Sequence, residues 1–113
     1  MADQRLPATP SSFETDADGF LADFDAWNES IATAFATEER IELSAAHWEI
    51  LHLLRDFYRQ YDQAPAMRPL VKYVSQQLGK EKGNSIYLLQ LFPGSPAKLA
   101  SKLAGLPRPE NCL

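Results

Sequence analysis

Cys112 is the one cysteine of the chain, and its thiol is the side chain best suited to nucleophilic work. A thiolate attacks sulfur and carbon electrophiles, and a lone thiol does so without a partner in the same chain. One cysteine excludes an internal disulfide and any cysteine-rich zinc site. His47 and His52 are five residues apart. On a helix that spacing turns them about 140° from each other, so they form no two-histidine metal face and are expected as surface residues. The sequence has no glycine-rich phosphate loop, no HExxH and no Ser-His-Asp arrangement. Glu38, Glu39 and Glu42 are expected as a solvated helix end rather than a catalytic pair. No cofactor or metal site is expected.

Free cysteines in soluble proteins are usually buried and inert. Cys112 stands in Leu106-Pro-Arg-Pro-Glu-Asn-Cys-Leu113, a stretch with two prolines and no apolar periodicity. Such a stretch is expected to be an extended tail. Seven residues separate Cys112 from Gly105, which allows a reach of roughly 23–25 Å. A thiol on such an arm can enter a partner's cleft. The residues alone leave a working thiol and a stray exposed one both open.

The rest of the chain must hold this arm. With 113 residues, 45% hydrophobic and 23% charged, it suits one domain with one core. No apolar run reaches the roughly 18–20 residues of a membrane span, and the first residues lack a signal-peptide pattern. No membrane role and a cytoplasmic location are therefore expected. Residues 1–54 carry two basic residues against eleven acids, a net of −9; residues 55–113 carry nine against four, a net of +5. Either the basic half meets an anionic partner or an oppositely charged protein surface, or both halves are solvated faces with local pairing.

Residues 1–12 read as a loose leader. Asp18-Gly19 signals a turn between Phe13-Glu14-Thr15 and Phe20-Leu21, so a short hairpin is expected. Five helices follow. Asn28 caps one over 29–39, with Ile31, Ala34 and Phe35 on one face. Ser44 caps the longest, 45–61, where Trp48, Leu51, Leu54, Phe57, Tyr58 and Tyr61 face the core. A third spans 67–78, with Leu70, Val71, Val74 and Leu78 inward, and Gly79 ends it. Asn84 or Ser85 caps a short helix that Pro93 ends, and Ser95-Pro96 opens the last, which runs to Ala104. The fold class expected is mainly α (α+β): a helical domain over 13–104 with a small N-terminal β-hairpin and a flexible C-terminal arm over 105–113.

The helices at 45–61 and 67–78 also resemble a helix-turn-helix. Arg68, Lys72, Lys80 and Lys82 would meet phosphates, and Gln76 and Gln77 would face bases. A DNA-binding regulator is thus one alternative, set against an acidic chain as a whole.

Longer stretches carry a more specific likeness. They are Glu14-Thr-Asp-x-x-Gly19-Phe-Leu, Leu43-Ser-x-x-His-Trp-Glu49, Leu54-Arg-Asp-Phe-Tyr58 and Glu81-Lys-Gly-Asn-Ser85. Leu91-Phe-Pro-Gly-x-Pro-Ala-Lys98 follows, then Ala104-Gly-Leu-Pro-x-Pro-x-x-Cys112. Together these resemble the TusE/DsrC family of sulfur-relay proteins over about residues 13–113. The resemblance implies a sulfurtransferase whose Cys112 carries sulfur as a persulfide. It implies a TusBCD-type donor complex and an MnmA-type tRNA-uridine thiolase as partners, in 2-thiolation of the wobble uridine. DsrC-like members use a second cysteine eleven residues before the terminal one, where this chain has Ser101. That departure favours the TusE-type role over a single-cysteine DsrC-like carrier in sulfur oxidation.

Overall fold

The computed structural model describes residues 13–110. The expected leader, residues 1–12, and Cys112 lie outside the described residues. Among the described residues, five α-helices follow a 3-10 turn, Phe24–Ala26. They are α1 (Glu29–Glu38), α2 (Ala45–Tyr61), α3 (Met67–Leu78), α4 (Ser85–Leu91) and α5 (Pro96–Leu103).

Local chemistry sets the helix ends. The Asn28 side chain accepts the Ile31 N–H at 2.9 Å and starts α1. Asn84 does the same for α4, accepting the Tyr87 N–H at 2.8 Å. Pro96 occupies the first turn of α5, where its missing N–H costs nothing. The last turn of α2 closes on Asp62 in the left-handed region, φ 57°, whose N–H donates to the Tyr58 carbonyl.

The hairpin expectation is corrected. Among the described residues there is no strand, only one antiparallel bridge between Thr15 and Leu21. The turn itself forms: the Asp16 carboxylate accepts the N–H groups of Asp18 and Phe20. The ladder then stops, because Phe20 and Leu21 are both buried and the chain dives into the core instead of running along a partner strand.

The core joins Phe35 of α1, Ile50, Leu51 and Leu54 of α2, Leu70 and Val74 of α3 and Leu88 of α4. At its centre lies α5, which touches each of the other four helices. Its buried face is built mostly from small residues, Ala97, Ala100 and Ser101, with Leu103. Small side chains let neighbouring backbones approach closely, so a short helix can serve as the hub.

Two burial expectations also change. His47 is buried, 8% exposed, rather than a surface residue. Its Nε2–H donates to the Leu91 carbonyl at 2.7 Å, and its Nδ1 accepts the Ser44 N–H at 3.1 Å. It therefore ties the start of α2 to the end of α4. Tyr61 is half exposed instead of core, because it sits on the last turn of α2 beyond the packed layer.

Candidate functional site

Since Cys112 lies outside the described residues, the site is described by what holds the segment that carries it. That segment leaves the end of α5. The Gly105 N–H donates to the Lys102 carbonyl at 3.2 Å and the Leu106 N–H to the Ser101 carbonyl at 2.9 Å. With Gly105 at φ 78° this is a Schellman closure of α5. A side chain at Gly105 is excluded twice: by the positive φ, and because a Cβ there would lie 2.5 Å from Cδ1 of Trp27.

Two side chains from earlier in the chain take the last carbonyls of α5. Trp27 Nε1–H donates to the Leu103 oxygen at 2.9 Å. Arg55 Nη1–H donates to the Ala104 oxygen at 2.9 Å, and its Nη2–H to the Phe24 oxygen at 2.9 Å. The guanidinium is sandwiched, 3.7 Å from the Phe24 ring centroid and 4.4 Å from that of Trp27. Arg55 is only 5% exposed. Burial, with a smaller contribution from nearby Arg59, lowers its pKa to about 10, against a weak opposing pull from Asp25. It is still cationic at neutral pH. Its charge sits at the negative end of α5 and over two aromatic faces, which offset its desolvation.

Beyond this root, the expected arm is packed over its first residues rather than free from Gly105 onward. Leu106 is fully buried and Pro109 is buried, while Pro107, Arg108 and Glu110 are exposed. The packing follows from apolar content: Leu106 completes the core at the foot of α5. Arg108 approaches Asp18 of the N-terminal turn at 3.9 Å. Asp18, Phe20, Lys98, Leu99 and Lys102 line a cavity of about 370 Å3 beside that contact. Of the cations that could favour a thiolate, Lys102 is tied to Glu39 at 2.9 Å and mostly buried. Lys98 has no ion pair among the described residues.

Ser101 is fully buried, and its Oγ has no hydrogen-bond partner among the described residues. His52 is exposed, its ring edge-on to Trp27 at 5.8 Å. Among the described residues no three His, Cys, Asp or Glu side chains gather as metal ligands. None of their helices is long and apolar enough to cross a membrane.

Sequence reasoning missed Arg55, Trp27 and the special role of Gly105. A signal for Arg55 was present: it follows Leu51 by four residues, inside the apolar stripe of α2, where a surface arginine has no place.

The chain matches the family model described as "DsrC like protein" over residues 8–113. A Haemophilus influenzae protein named "Sulfurtransferase TusE homolog" is 55% identical over 100 residues, 88% of this chain and 92% of its own length. "Sulfurtransferase TusE" of Sodalis glossinidius is 50% identical over 91% of this chain and 95% of its own length. Among solved structures, Allochromatium vinosum DsrC aligns with a TM-score of 0.81 at 46% identity, covering 89% of this chain and 90% of that one. The oxidized gamma-subunit of the dissimilatory sulfite reductase (DsrC) from Archaeoglobus fulgidus aligns with a TM-score of 0.75 at 40% identity, covering 89% and 92%. With a family match along nearly its whole length and sulfurtransferase relatives at half identity or more, this chain belongs to the DsrC-like family and is a sulfur-relay sulfurtransferase.

Proposed function

We propose that Cys112 is the carrier thiol and that the sulfur it bears serves 2-thiolation of the wobble uridine of tRNA. The Cys112 thiolate attacks the outer sulfur of a donor persulfide. A new S–S bond forms, the donor S–S bond breaks, and the donor thiolate leaves. An acceptor thiolate later attacks the outer sulfur on Cys112, which departs as a thiolate. Both steps are exchanges at sulfur and need no outside oxidant. The donor is a TusBCD-type complex and the acceptor an MnmA-type tRNA-uridine thiolase.

The observation that carries this reading is the serine at position 101 in a chain with one cysteine. A carrier with one thiol forms no internal bridge. It is suited to hand on sulfane sulfur rather than to cycle through an intramolecular disulfide. The names of the relatives support the same branch.

The root described above sets the delivery geometry. Leu106 closes α5 and is fully buried, and Pro109 is buried three residues further on. From Leu106 to Cys112 is six residues, a reach of roughly 20–22 Å once Pro109 leaves its seat. With Pro109 seated the reach is three residues, roughly 10 Å. Release of Pro109 would thus roughly double the reach of the thiol.

The test is intact-mass analysis after incubation with a persulfide donor. Wild type gains one sulfur, roughly 32 Da, and Cys112→Ser gains none. Equal loading of the serine variant ends the carrier reading. Transfer of the loaded sulfur to the thiolase, followed by 2-thiouridine analysis of tRNA, tests the route.

A further inference from the structure

The inner face of α3, Leu70 and Val74, belongs to the core. The next row of α3, partly buried against that core at Met67 and Val71, opens to solvent. There Met67, Val71 and Ser75, at steps of four, floor a groove of about 810 Å3. Arg68 and Lys72 stand on one side of the floor, one helical step round from it, and Lys80 stands in the opposing loop. That loop is pressed onto the helix. A Cβ on Gly83 would lie 2.2 Å from the Cα and N of Ser75, so only glycine lets the far wall sit this close. Lys82 is turned away to Glu49 at 2.8 Å. Among the described residues, Arg68, Lys72 and Lys80 have no carboxylate partner. Glu81 is the acidic side chain nearest in sequence, and it is not part of the lining. The neighbouring helix α4 begins at the groove wall, after Asn84, and exposes Ile86 at 71% and Leu89 at 43%.

The geometry points to a docking groove for an acidic amphipathic helix of a partner protein. An apolar floor between cationic walls takes apolar side chains spaced three and four apart, with carboxylates on both flanks of that stripe. A duplex is the poorer occupant. Its phosphates would satisfy the three cations but would leave the apolar floor unfilled. The basic surplus of residues 55–113 is thereby partly explained as a local recognition rim. This goes beyond the thiol chemistry and concerns how a partner is held while sulfur moves.

The experiment uses the full chain and a fluorescent synthetic peptide of about five helical turns. The peptide has leucines at i, i+3, i+4 and i+7 and glutamates on both flanks. The expected result is saturable binding that weakens with salt. The double variant Arg68→Glu/Lys72→Glu, both exposed and outside the core, weakens it by about tenfold or more. Val71→Glu does the same through the floor, with circular dichroism as the control for folding. A peptide with lysine for each glutamate binds no better to wild type than a scrambled one. No saturable binding of the acidic peptide overturns the proposal, as does binding that the double variant leaves unchanged. Tighter binding of a short DNA duplex than of the peptide, lost in the double variant, also overturns it and assigns the groove to nucleic acid.

Discussion

The Arg55 guanidinium donates to the Ala104 carbonyl oxygen at 2.9 Å across 49 residues of sequence, and so fixes the point from which the C-terminal segment departs. The same group holds the Phe24 carbonyl and stacks on Phe24 and Trp27. Arg55→Met leaves two carbonyls without these donors, and the expected loss is about 2–4 kcal/mol in urea unfolding. Arg55→Lys recovers less than half of it, since an ammonium cannot fork to both oxygens or stack as a plane. The pKa, lowered by burial to about 10 from the ordinary arginine value, carries a definite sign. Only between those values does the unfolded chain bind more protons, so this group's contribution to stability rises with pH there and is flat below. Wild type and Arg55→Met should therefore differ by a constant amount across roughly pH 6 to 9. A difference that varies steeply within that window refutes the buried-cation account.

Gly105→Ala should be costly for a residue that carries no function. The position has φ 78°, and a Cβ would press on Trp27. The expected destabilisation is about 1–3 kcal/mol, with a shift in tryptophan emission as Trp27 is displaced from the foot of α5. Gly19, at φ 84°, has nothing within 4 Å of its Cβ position, so Gly19→Ala bears only the backbone penalty and should cost less. Equal costs would show that the Trp27 contact is not what demands glycine at 105.

Ser101→Ala should be neutral or stabilising by about 1 kcal/mol, because the buried Oγ lacks a partner and loses its hydration on folding. Ser101→Cys places a thiol at a fully buried position. A thiol reagent should react with it far more slowly than with Cys112 in the native protein, and at the same rate in denaturant. A bridge between the two on oxidation then requires α5 and the segment beyond it to bring their Cα atoms within about 7 Å. Fast native reaction of the new thiol would show that α5 opens readily.

Deleting Arg108-Pro109 should slow sulfur delivery steeply, as it removes about 6–7 Å of reach. It also removes the buried Pro109, so a stability loss of about 1 kcal/mol is expected. Replacing the pair by Gly-Gly keeps length, frees the seat and adds ordering entropy on docking. It should cost delivery less than the deletion does. Single-turnover transfer from preloaded protein to its acceptor separates the two, and equal rates for all three proteins would dismiss arm length as a factor.

The helices and their ends were determined by the sequence itself. Asn28, Ser44, Asn84 and Pro96 mark their starts by local hydrogen bonding or a fixed φ, and the apolar stripes of α2 and α3 follow from a 3.6-residue period. These are short-range effects, legible within a few residues. The short strands failed because a hairpin of this size has little stability of its own, and burial of Phe20 and Leu21 outweighed the ladder. Only the tertiary structure decided that Arg55 and His47 are buried. Each is held by a backbone carbonyl more than forty residues away, Ala104 for one and Leu91 for the other. It also decided that the C-terminal segment is anchored through Leu106 and Pro109, since their burial depends on where α5 lies among its four neighbours. A polar side chain is buried wherever distant partners offset its desolvation, and no window along the chain contains those partners.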